Sequence, residues 1–324
     1  MMKCILKMLR WLKHELVAWR YFRYDRRRML AYSGAFTADT RGKLLAKLIM
    51  RYHVLEKGLT MPARRFWFGW QVVLDVMALA DEFAARYGDE EPQCRHAIGV
   101  VRAYWELHRE HAQAHEQELQ VLARFLERFP QVSAAVEPHC RREEFYAAKD
   151  APFPSFCQAR HTLRHYAEKE LSMDRLRVAV DMARSAPSAC NRQHSRVHVV
   201  SDRELISTVL TLQGGNRGFG HLANKLLVVT ADLEALAGIG ERNDVYVNGG
   251  MFLMNLCYAL YHEEIAHCIL NWSKSPAEDK ALRKLVGLRD SETVIALLTC
   301  GETPEEFDVA ASPRKNLEEV LIVE

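Results

Sequence analysis

The sequence predicts an α+β fold in its second half, preceded by an all-helical N-terminal domain. Residues 1–130 carry apolar side chains at helical spacing almost throughout. Further along, short apolar runs typical of buried strands alternate with helical patterns. A charged, proline-containing stretch from Pro138 to Pro154 separates the two regimes. We therefore predict a helical domain at 1–150 and a mixed domain at 151–324.

The individual elements follow from the same periodicities. In the first half the predicted helices are Leu44–Leu55, Trp70–Arg86, Ala97–Glu118 and Val121–Phe129. In the second half they are Met173–Arg184, Arg203–Leu212, Val247–Glu263 and Pro276–Val286. The predicted strands are Val197–Val200, Leu226–Val229 and Val294–Thr299. Strands this apolar indicate a central sheet that helices cover on both faces.

Composition limits the class of protein. The chain has 324 residues, 49% of them hydrophobic and 27% charged, which is ordinary for a globular protein. A net charge of +2 gives no global signature of nucleic-acid binding. The eight cysteines include no CxxC pair, so we expect no disulfide scaffold and a reducing, cytoplasmic setting. No apolar run is long enough for a membrane span, and we expect no cleaved signal peptide.

The first helix is basic and amphipathic. Residues 1–28 contain nine Lys or Arg against two acidic residues, a net charge of +7. Aromatic side chains at Trp11, Trp19, Tyr21 and Phe22 lie among these cations. This composition suits peripheral contact with the inner face of a membrane. It suits packing on the helix's own domain or on a dimer partner equally well.

A polar loop follows the helix predicted at Met173–Arg184. Pro187 stops that helix, and Ser188, Asn191 and Gln193 place three hydrogen-bonding side chains within six residues. Such a loop can hold a planar polar ring along its edge. The plainer alternative is helix termination and turn chemistry.

Two arginines lie upstream of this loop. Arg160 and Arg164 flank Thr162, and Arg314 lies near the C-terminus. Guanidinium groups bind phosphate bidentately, so these side chains could together form a phosphate site, with Thr162 adding a hydroxyl donor. The alternative is that the two upstream arginines lie on a surface segment and bind no phosphate.

Three segments in this order resemble the nitroreductase family of FMN-dependent oxidoreductases. They are Arg-His-Thr-Leu-Arg-His-Tyr at 160–166, Ala-Pro-Ser-Ala-Cys-Asn-Arg-Gln at 186–193, and Arg-Lys-Asn-Leu-Glu-Glu-Val at 314–320. The resemblance covers roughly 155–324. It implies a three-layer α/β/α sandwich with a mixed central sheet, and an obligate homodimer with FMN at the subunit interface. It also implies NAD(P)H as electron donor and a small organic acceptor.

The resemblance also implies which residues act. The cofactor-binding residues are Arg160, Thr162, Arg164, Pro187, Ser188, Ala189, Asn191, Gln193, Leu270, Asn271, Arg314 and Lys315. The candidates for the substrate side are His194, Asn216 and Arg217. Because the flavin carries the chemistry, we expect no catalytic side chain and no metal.

Two departures from the family pattern leave a rival function open. His194-Ser195 replaces the family's Pro-Trp, and the bulky segment Ile269–Trp272 stands where the family usually has glycine nearby. Both bear on substrate access. The rival is a dimeric scaffold without activity, whose helical domain recruits a membrane or a biosynthetic complex.

Two features of the helical half have weaker interpretations. Residues 51–62 resemble the N-terminal stretch of nitroreductase-like proteins linked to bacterial surface-polysaccharide genes; from the residues alone, Gly58 and Pro62 indicate a helix end with a glycine cap. His108, His111 and His115 are spaced to share one helix face. A solvated face is the favoured interpretation there, with a metal site as the alternative.

Overall fold

The structure is a computed structural model, and it describes residues 2–111, 114–136 and 138–324. The helices in chain order are α1 (Met2–Tyr32), α2 (Arg41–Leu59), α3 (Trp70–Tyr87), α4 (Pro92–His108), α5 (Glu116–Leu126), α6 (Arg142–Tyr146), α7 (Phe153–Ala159), α8 (Met173–Ala183), α9 (Arg203–Gln213), α10 (Asp244–His262) and α11 (Pro276–Val286). The strands are β1 (His139–Arg141), β2 (Ser195–Val200), β3 (Lys225–Asp232), β4 (Ile265–Asn271), β5 (Glu292–Glu302) and β6 (Glu306–Asp308).

The chain forms two compact units. The mixed unit comprises residues 1–21 and 139–309, and the helical unit comprises 22–138 and 310–324. The prediction of helices followed by a mixed α+β fold is confirmed. The assignment of functional domains to 1–150 and 151–324 stays a prediction.

The helical unit is built on the apolar faces of α2 to α5. Their inward side chains form one buried cluster, with Leu48, Phe83 and Tyr104 among its members. The Thr40 hydroxyl accepts a hydrogen bond from the Lys43 backbone N–H and so caps the start of α2. Pro92 occupies the first turn of α4, where its missing N–H costs nothing.

Two predictions in this unit are wrong in detail. The helix predicted over Ala97–Glu118 ends at His108, and a 3₁₀ turn and a residue with φ of +105°, Ala114, interrupt it before α5. Consequently the three histidines do not share a helix face. His108 is fully buried rather than solvated, with its ring Nδ1 2.6 Å from the Tyr104 carbonyl oxygen, and the His115 ring stacks on Trp67.

Gly58 is not a helix cap. Helix α2 continues through it to Leu59, and Thr60 occupies the cap position. A Cβ atom built on Gly58 would overlap the ring of Phe68. Glycine is needed here because the aromatic ring lies directly against the helix backbone.

The mixed unit contains a four-stranded sheet in the order β2-β3-β5-β4. Ser195 is opposite Ala231, Lys225 opposite Cys300, and Ile265 opposite Glu302. All these pairings are antiparallel in the part of the chain that the structure describes, whereas the family resemblance implied a mixed sheet. The short strands β1 and β6 pair separately.

Helices cover the sheet on both faces, as predicted. Every residue of β3 is buried, so both of its faces are covered. On one face, Leu227 and Val229 join the apolar sides of α8 and α10 in a common core. An added Cβ on Gly249 of α10 would lie 2.6 Å from Ile295 of β5. This glycine therefore sets how closely α10 approaches the sheet.

Candidate functional site

The polar loop between α8 and β2 has an unusual backbone. Cys190, Asn191 and Gln193 have φ values of 51°, 55° and 48°, in the left-handed region that non-glycine residues rarely adopt. Each such conformation costs on the order of 1 kcal/mol and persists only where the surroundings fix it. Three in four consecutive residues mark this loop as a candidate binding element.

The loop brings together the hydrogen-bonding side chains among its four predicted ring contacts, Pro187, Ser188, Asn191 and Gln193. The Ser188 hydroxyl accepts a hydrogen bond from the Gln193 backbone N–H at 2.9 Å. The Gln193 side-chain amide donates to the Asn191 side-chain oxygen at 3.0 Å. Asn191 and Gln193 are exposed, and Ser188 and Ala189 are half-buried. We call residues 187–193 the loop cluster; it presents amide and hydroxyl groups on one surface.

Two residues that the sequence analysis missed hold this loop. Asn248 of α10 accepts a hydrogen bond from the Ala189 backbone N–H at 3.3 Å. Arg192 donates to the carbonyl oxygens of Ala189 and Ala235, and pairs with Glu241 at 2.7 Å. An asparagine within an apolar helix is the one sequence signal that could have indicated the first of these contacts.

His194 packs beneath the loop cluster. Its carbonyl oxygen accepts from the Asp232 backbone N–H at 3.0 Å, and its ring Nε2 lies 3.4 Å from the Asn248 amide nitrogen. The residue is 5% exposed, and burial lowers the pKa of its imidazole. The buried ring serves packing in this structure, and its contact with a substrate stays a prediction.

A small cavity opens beside the loop cluster. Its volume is about 110 Å³, and Pro187, Ser188, Gln193, Asn248 and Phe252 line it. Pockets for cofactors and drug-sized ligands measure roughly 300–1,000 Å³. One chain alone thus supplies only part of a flavin-sized pocket here.

The predicted phosphate-binding segment is extended and runs beside β4. After α7 ends at Ala159, the Leu163 backbone N–H donates to the His267 carbonyl oxygen at 3.0 Å. Leu163 is buried, whereas Thr162 and Arg164 are half-buried. Burial lowers the pKa of His267 to about 4, and the nearby Arg160 guanidinium adds to this effect.

Arg164 has an unsatisfied donor. Its Nε atom is buried and has no hydrogen-bond partner in the described part of the chain. Its guanidinium lies over the ring of Phe219, 5.9 Å from the centroid. A buried N–H without an acceptor costs about 1–3 kcal/mol. An anion bound at this position would remove that cost.

The loop after α9 contacts the end of β4. Gln213 donates to the Asn271 carbonyl oxygen at 3.2 Å and accepts from the Asn216 side-chain amide at 3.3 Å. Leu270 is buried, whereas Asn271 and Arg217 are exposed. We call Arg160, Thr162, Arg164, Asn216, Arg217, Leu270 and Asn271 the edge cluster.

The two clusters lie at opposite edges of the sheet. The loop cluster leads directly into β2, and the edge cluster borders β4, the other terminal strand. Three strand spacings of about 4.8 Å separate these strands by about 14 Å. The predicted ring contacts and the predicted phosphate cations of one chain therefore border opposite edge strands of the sheet.

The remaining predicted ligands belong to the helical unit. Arg314 and Lys315 are exposed, and Arg314 donates to the Ser312 carbonyl oxygen at 2.8 Å. Lys315 lies 3.8 Å from the Glu319 carboxylate. Glu56, buried in α2, accepts hydrogen bonds from Ser312 and thereby fixes this segment. No local pattern could have predicted a contact across 256 positions.

Within the described residues, no group of three or more His, Cys, Asp or Glu side chains is arranged to hold a metal ion. The chemistry of the site therefore has to be considered from its arginines, amides and hydroxyls.

Residues 157–213 match the model of the nitroreductase family. The resemblance predicted from the sequence is thereby confirmed for this segment, which contains Arg160, Arg164 and the whole loop cluster. Comparison with curated proteins found no match.

Solved structures similar to this chain include several nitroreductases. The nitroreductase family protein of Streptococcus pneumoniae TIGR4 is 20% identical, with 53% of this chain and 100% of that chain covered and a TM-score of 0.46. An FMN-dependent nitroreductase of Clostridium difficile R20291 is 19% identical, with 51% of this chain and 92% of that chain covered and a TM-score of 0.41. B. megaterium NfrA2 is 19% identical, with 52% of this chain and 72% of that chain covered and a TM-score of 0.46.

Proposed function

We propose that this protein is an FMN-dependent oxidoreductase that passes reducing equivalents from NAD(P)H to an organic acceptor. The observation that carries the proposal is the family match over residues 157–213, the segment that supplies both the upstream arginines and the loop cluster. The acceptor classes are a quinone, a nitro compound or a biosynthetic intermediate. The last, in surface-polysaccharide biosynthesis, rests on the resemblance of residues 51–62.

The arginines fit the phosphate end of FMN. Arg164 offers a buried donor without a partner in the described chain, and the half-buried Thr162 lies two residues before it. Arg160 lies close enough to lower the pKa of the neighbouring His267. In the proposed site these residues, with Arg314 and Lys315, hold the phosphate dianion.

The loop cluster fits the polar edge of the flavin ring. Asn191 and Gln193 offer amide donors and acceptors, and Ser188 and Ala189 lie half-buried beside them. The fixed left-handed backbone keeps these groups oriented before the ligand binds. Pro187 and Leu270 supply apolar contact in this proposal.

Sheet geometry supports a homodimer with shared sites. The edge cluster and the loop cluster of one chain border edge strands that are about 14 Å apart by strand spacing, and the cavity at the loop cluster is only about 110 Å³. A second copy can place its edge cluster against the first chain's loop cluster. Exposed apolar side chains at Tyr246 and Val247 of α10 offer further surface for such contact.

When bound, FMN supplies hydride transfer, accepting from the nicotinamide and donating to the acceptor. The protein's own residues bind, orient and exclude water. Asn216 and Arg217 line the proposed acceptor side, with His194 beneath the loop cluster. No side-chain nucleophile is required.

The phosphate assignment is tested by comparing FMN with riboflavin, which lacks the phosphate. We expect Arg164→Ala and Arg160→Ala to weaken FMN binding by about 10- to 100-fold, since charge-assisted bonds contribute about 1.5–3 kcal/mol each. Riboflavin affinity should not change. Arg177→Ala, which removes an exposed ion pair on α8, is the control. Unchanged FMN affinity in both arginine variants would refute the assignment.

Activity separates the enzyme from the scaffold function. The enzyme should oxidise NADH or NADPH steadily when a quinone or nitroaromatic compound is present. A protein that binds FMN, but whose bound flavin neither nicotinamide reduces, would instead be a scaffold or depend on a partner reductase.

We also propose that α1 lies on an anionic membrane surface. Ile5, Leu9, Leu12, Leu16 and Trp19 recur at helical spacing and are 47–54% exposed. No described helix is long and apolar enough to cross a membrane. Co-sedimentation should occur with vesicles containing phosphatidylserine and not with neutral phosphatidylcholine vesicles, and Leu12→Glu should abolish it.

A further inference from the structure

Glu56 is a fully buried carboxylate with four hydrogen-bonding contacts. Its Oε2 lies 2.7 Å from His53 Nδ1, and its Oε1 lies 3.1 Å from His96 Nε2. From the C-terminal segment, the Ser312 backbone N–H donates to Oε1 at 2.7 Å and the Ser312 hydroxyl donates to Oε2 at 3.1 Å. One side chain of α2 thus joins α4 to residues near the end of the chain.

These contacts keep the carboxylate ionised. Burial raises the pKa of Glu56, but hydrogen bonds from His53, His96 and the Ser312 N–H lower it more, so its pKa is held well below its ordinary value. A buried anion is tolerated only when each oxygen is satisfied. Ser312 donates two of the hydrogen bonds that satisfy these oxygens. The position of Ser312 therefore depends on the negative charge of Glu56.

A second contact holds the same segment. The Tyr52 hydroxyl donates to the Gln93 side-chain oxygen at 2.5 Å, and the Gln93 amide donates to the Pro313 carbonyl oxygen at 3.4 Å. Ser312 itself has a φ of 42°, a left-handed conformation that a non-glycine residue rarely adopts. The contacts made by Ser312 itself and by the following residue account for the persistence of that conformation.

The segment that begins at Ser312 carries the two C-terminal cations, Arg314 and Lys315. Arg314 is two residues beyond Ser312, donates to the Ser312 carbonyl oxygen and remains exposed. Lys315 follows, also exposed. If Ser312 were released, the backbone that aims both side chains would be free to move, and an anion would bind only after the segment was ordered again.

We propose that Glu56 is a positioning residue for phosphate recognition: it latches residues 310–316 to the helical unit, so that Arg314 and Lys315 are presented in fixed geometry to the phosphate of the cofactor. This inference rests on the proposed FMN function. It gives the His-x-x-Glu pattern at 53–56 a physical role.

The test compares Glu56→Gln with the wild-type full-length protein. Glutamine keeps the shape and removes the charge. We expect FMN affinity to fall about tenfold, riboflavin affinity to stay unchanged, and amide hydrogen exchange to accelerate across 310–316. Glu82→Gln, at an exposed carboxylate of α3, is the matched control and should change none of the three. In the Arg314→Ala/Lys315→Ala background, Glu56→Gln should cause little further loss, because the latch acts through those two cations.

The outcomes are distinct. Unchanged exchange across 310–316 in Glu56→Gln would overturn the latch. Faster exchange with equal loss of FMN and riboflavin would show general damage and overturn the phosphate role. If the wild type binds neither flavin, the proposed function fails and the phosphate role with it, while exchange still decides whether Glu56 holds the segment. Should Glu56→Gln not fold, Ser312→Gly removes the hydroxyl donor but permits the left-handed backbone, and the same criteria apply.

Discussion

Asn248 accepts a hydrogen bond from the Ala189 backbone N–H at 3.3 Å and so ties the loop cluster to α10. The same side chain lies 3.4 Å from the ring of His194, which packs beneath the loop. One helix residue therefore supports a loop whose backbone is left-handed at three of four consecutive positions. In the proposed site, this support keeps the loop ready for the flavin ring.

Asn248→Ala should weaken the binding of both FMN and riboflavin by about 3- to 10-fold, because one supporting hydrogen bond contributes about 0.5–1.5 kcal/mol. The equal loss distinguishes ring contacts from phosphate contacts. Equilibrium titration of flavin fluorescence measures both. Thr208→Ala, which removes one hydrogen bond on α9, is the control. A loss confined to FMN would contradict the ring-side role of the loop cluster.

Adjacent glycines on α10 offer a matched pair for its packing on the sheet. Gly249→Ala would place a methyl group 2.6 Å from Ile295 and should destabilise the mixed unit by about 1–3 kcal/mol. Gly250 has open space at the corresponding position, and Gly250→Ala should be neutral or stabilise by up to about 1 kcal/mol. Chemical denaturation measures both, and equal effects would refute the close approach.

A second glycine pair tests α2. Gly58→Ala would drive a methyl group into the Phe68 ring and should destabilise the helical unit by about 1–3 kcal/mol. Gly42 lies in the same helix with open space around it, so Gly42→Ala should not destabilise it. If Gly58→Ala proved as harmless as Gly42→Ala in thermal unfolding, the close packing of the Phe68 ring on the backbone of α2 would be refuted.

The depressed pKa of Glu56 predicts a pH dependence of stability. A carboxyl whose pKa is lower folded than unfolded contributes stability above its ordinary pKa of 4.5, and that contribution is lost as the pH falls below it. The free energy of unfolding of the wild type should therefore fall more steeply below about pH 4.5 than that of Glu56→Gln. Equal slopes between pH 3 and pH 7 would contradict the assigned ionisation.

Subunit mixing tests whether sites are shared. Arg160→Ala/Arg164→Ala damages the edge cluster, and Asn191→Ala/Gln193→Ala damages the loop cluster. Each homodimer should bind FMN weakly. Mixed dimers should recover one intact site, formed from the unaltered cluster of each chain, so binding should reappear at about half a site per chain in the mixed species. No recovery would mean that each site is built within one chain.

Much of this fold was predictable, because local periodicity encodes it. The strand cores at 197–200, 226–229 and 294–299 and the helix at 276–286 lie where the apolar patterns placed them. Strand β4 was missed because His267 interrupts its apolar run and only two residues separate it from α10. The strand starts directly after Glu264, whose φ of 53° ends the helical conformation. Because this residue is not a glycine, the sequence gives no clear signal that the helix ends there.

The candidate site was predictable only in part. The loop cluster is local, and its residues follow one another in the sequence. The contacts that support it are not local: Asn248 is 59 positions from Ala189. The contact between Glu56 and Ser312 depends on tertiary packing and has no signature within any window of the sequence. Likewise, His108 was expected at the surface because its neighbours are polar, whereas the packing of Tyr104 and Trp67 encloses it.

The most direct test of the central claim is the visible absorption spectrum of the purified protein, followed by heat release and identification of the chromophore. An FMN-dependent oxidoreductase should show flavin absorbance, with FMN released at one molecule per chain and two per dimer. A colourless protein that also fails to bind added FMN would contradict the proposed function and leave the scaffold function in its place.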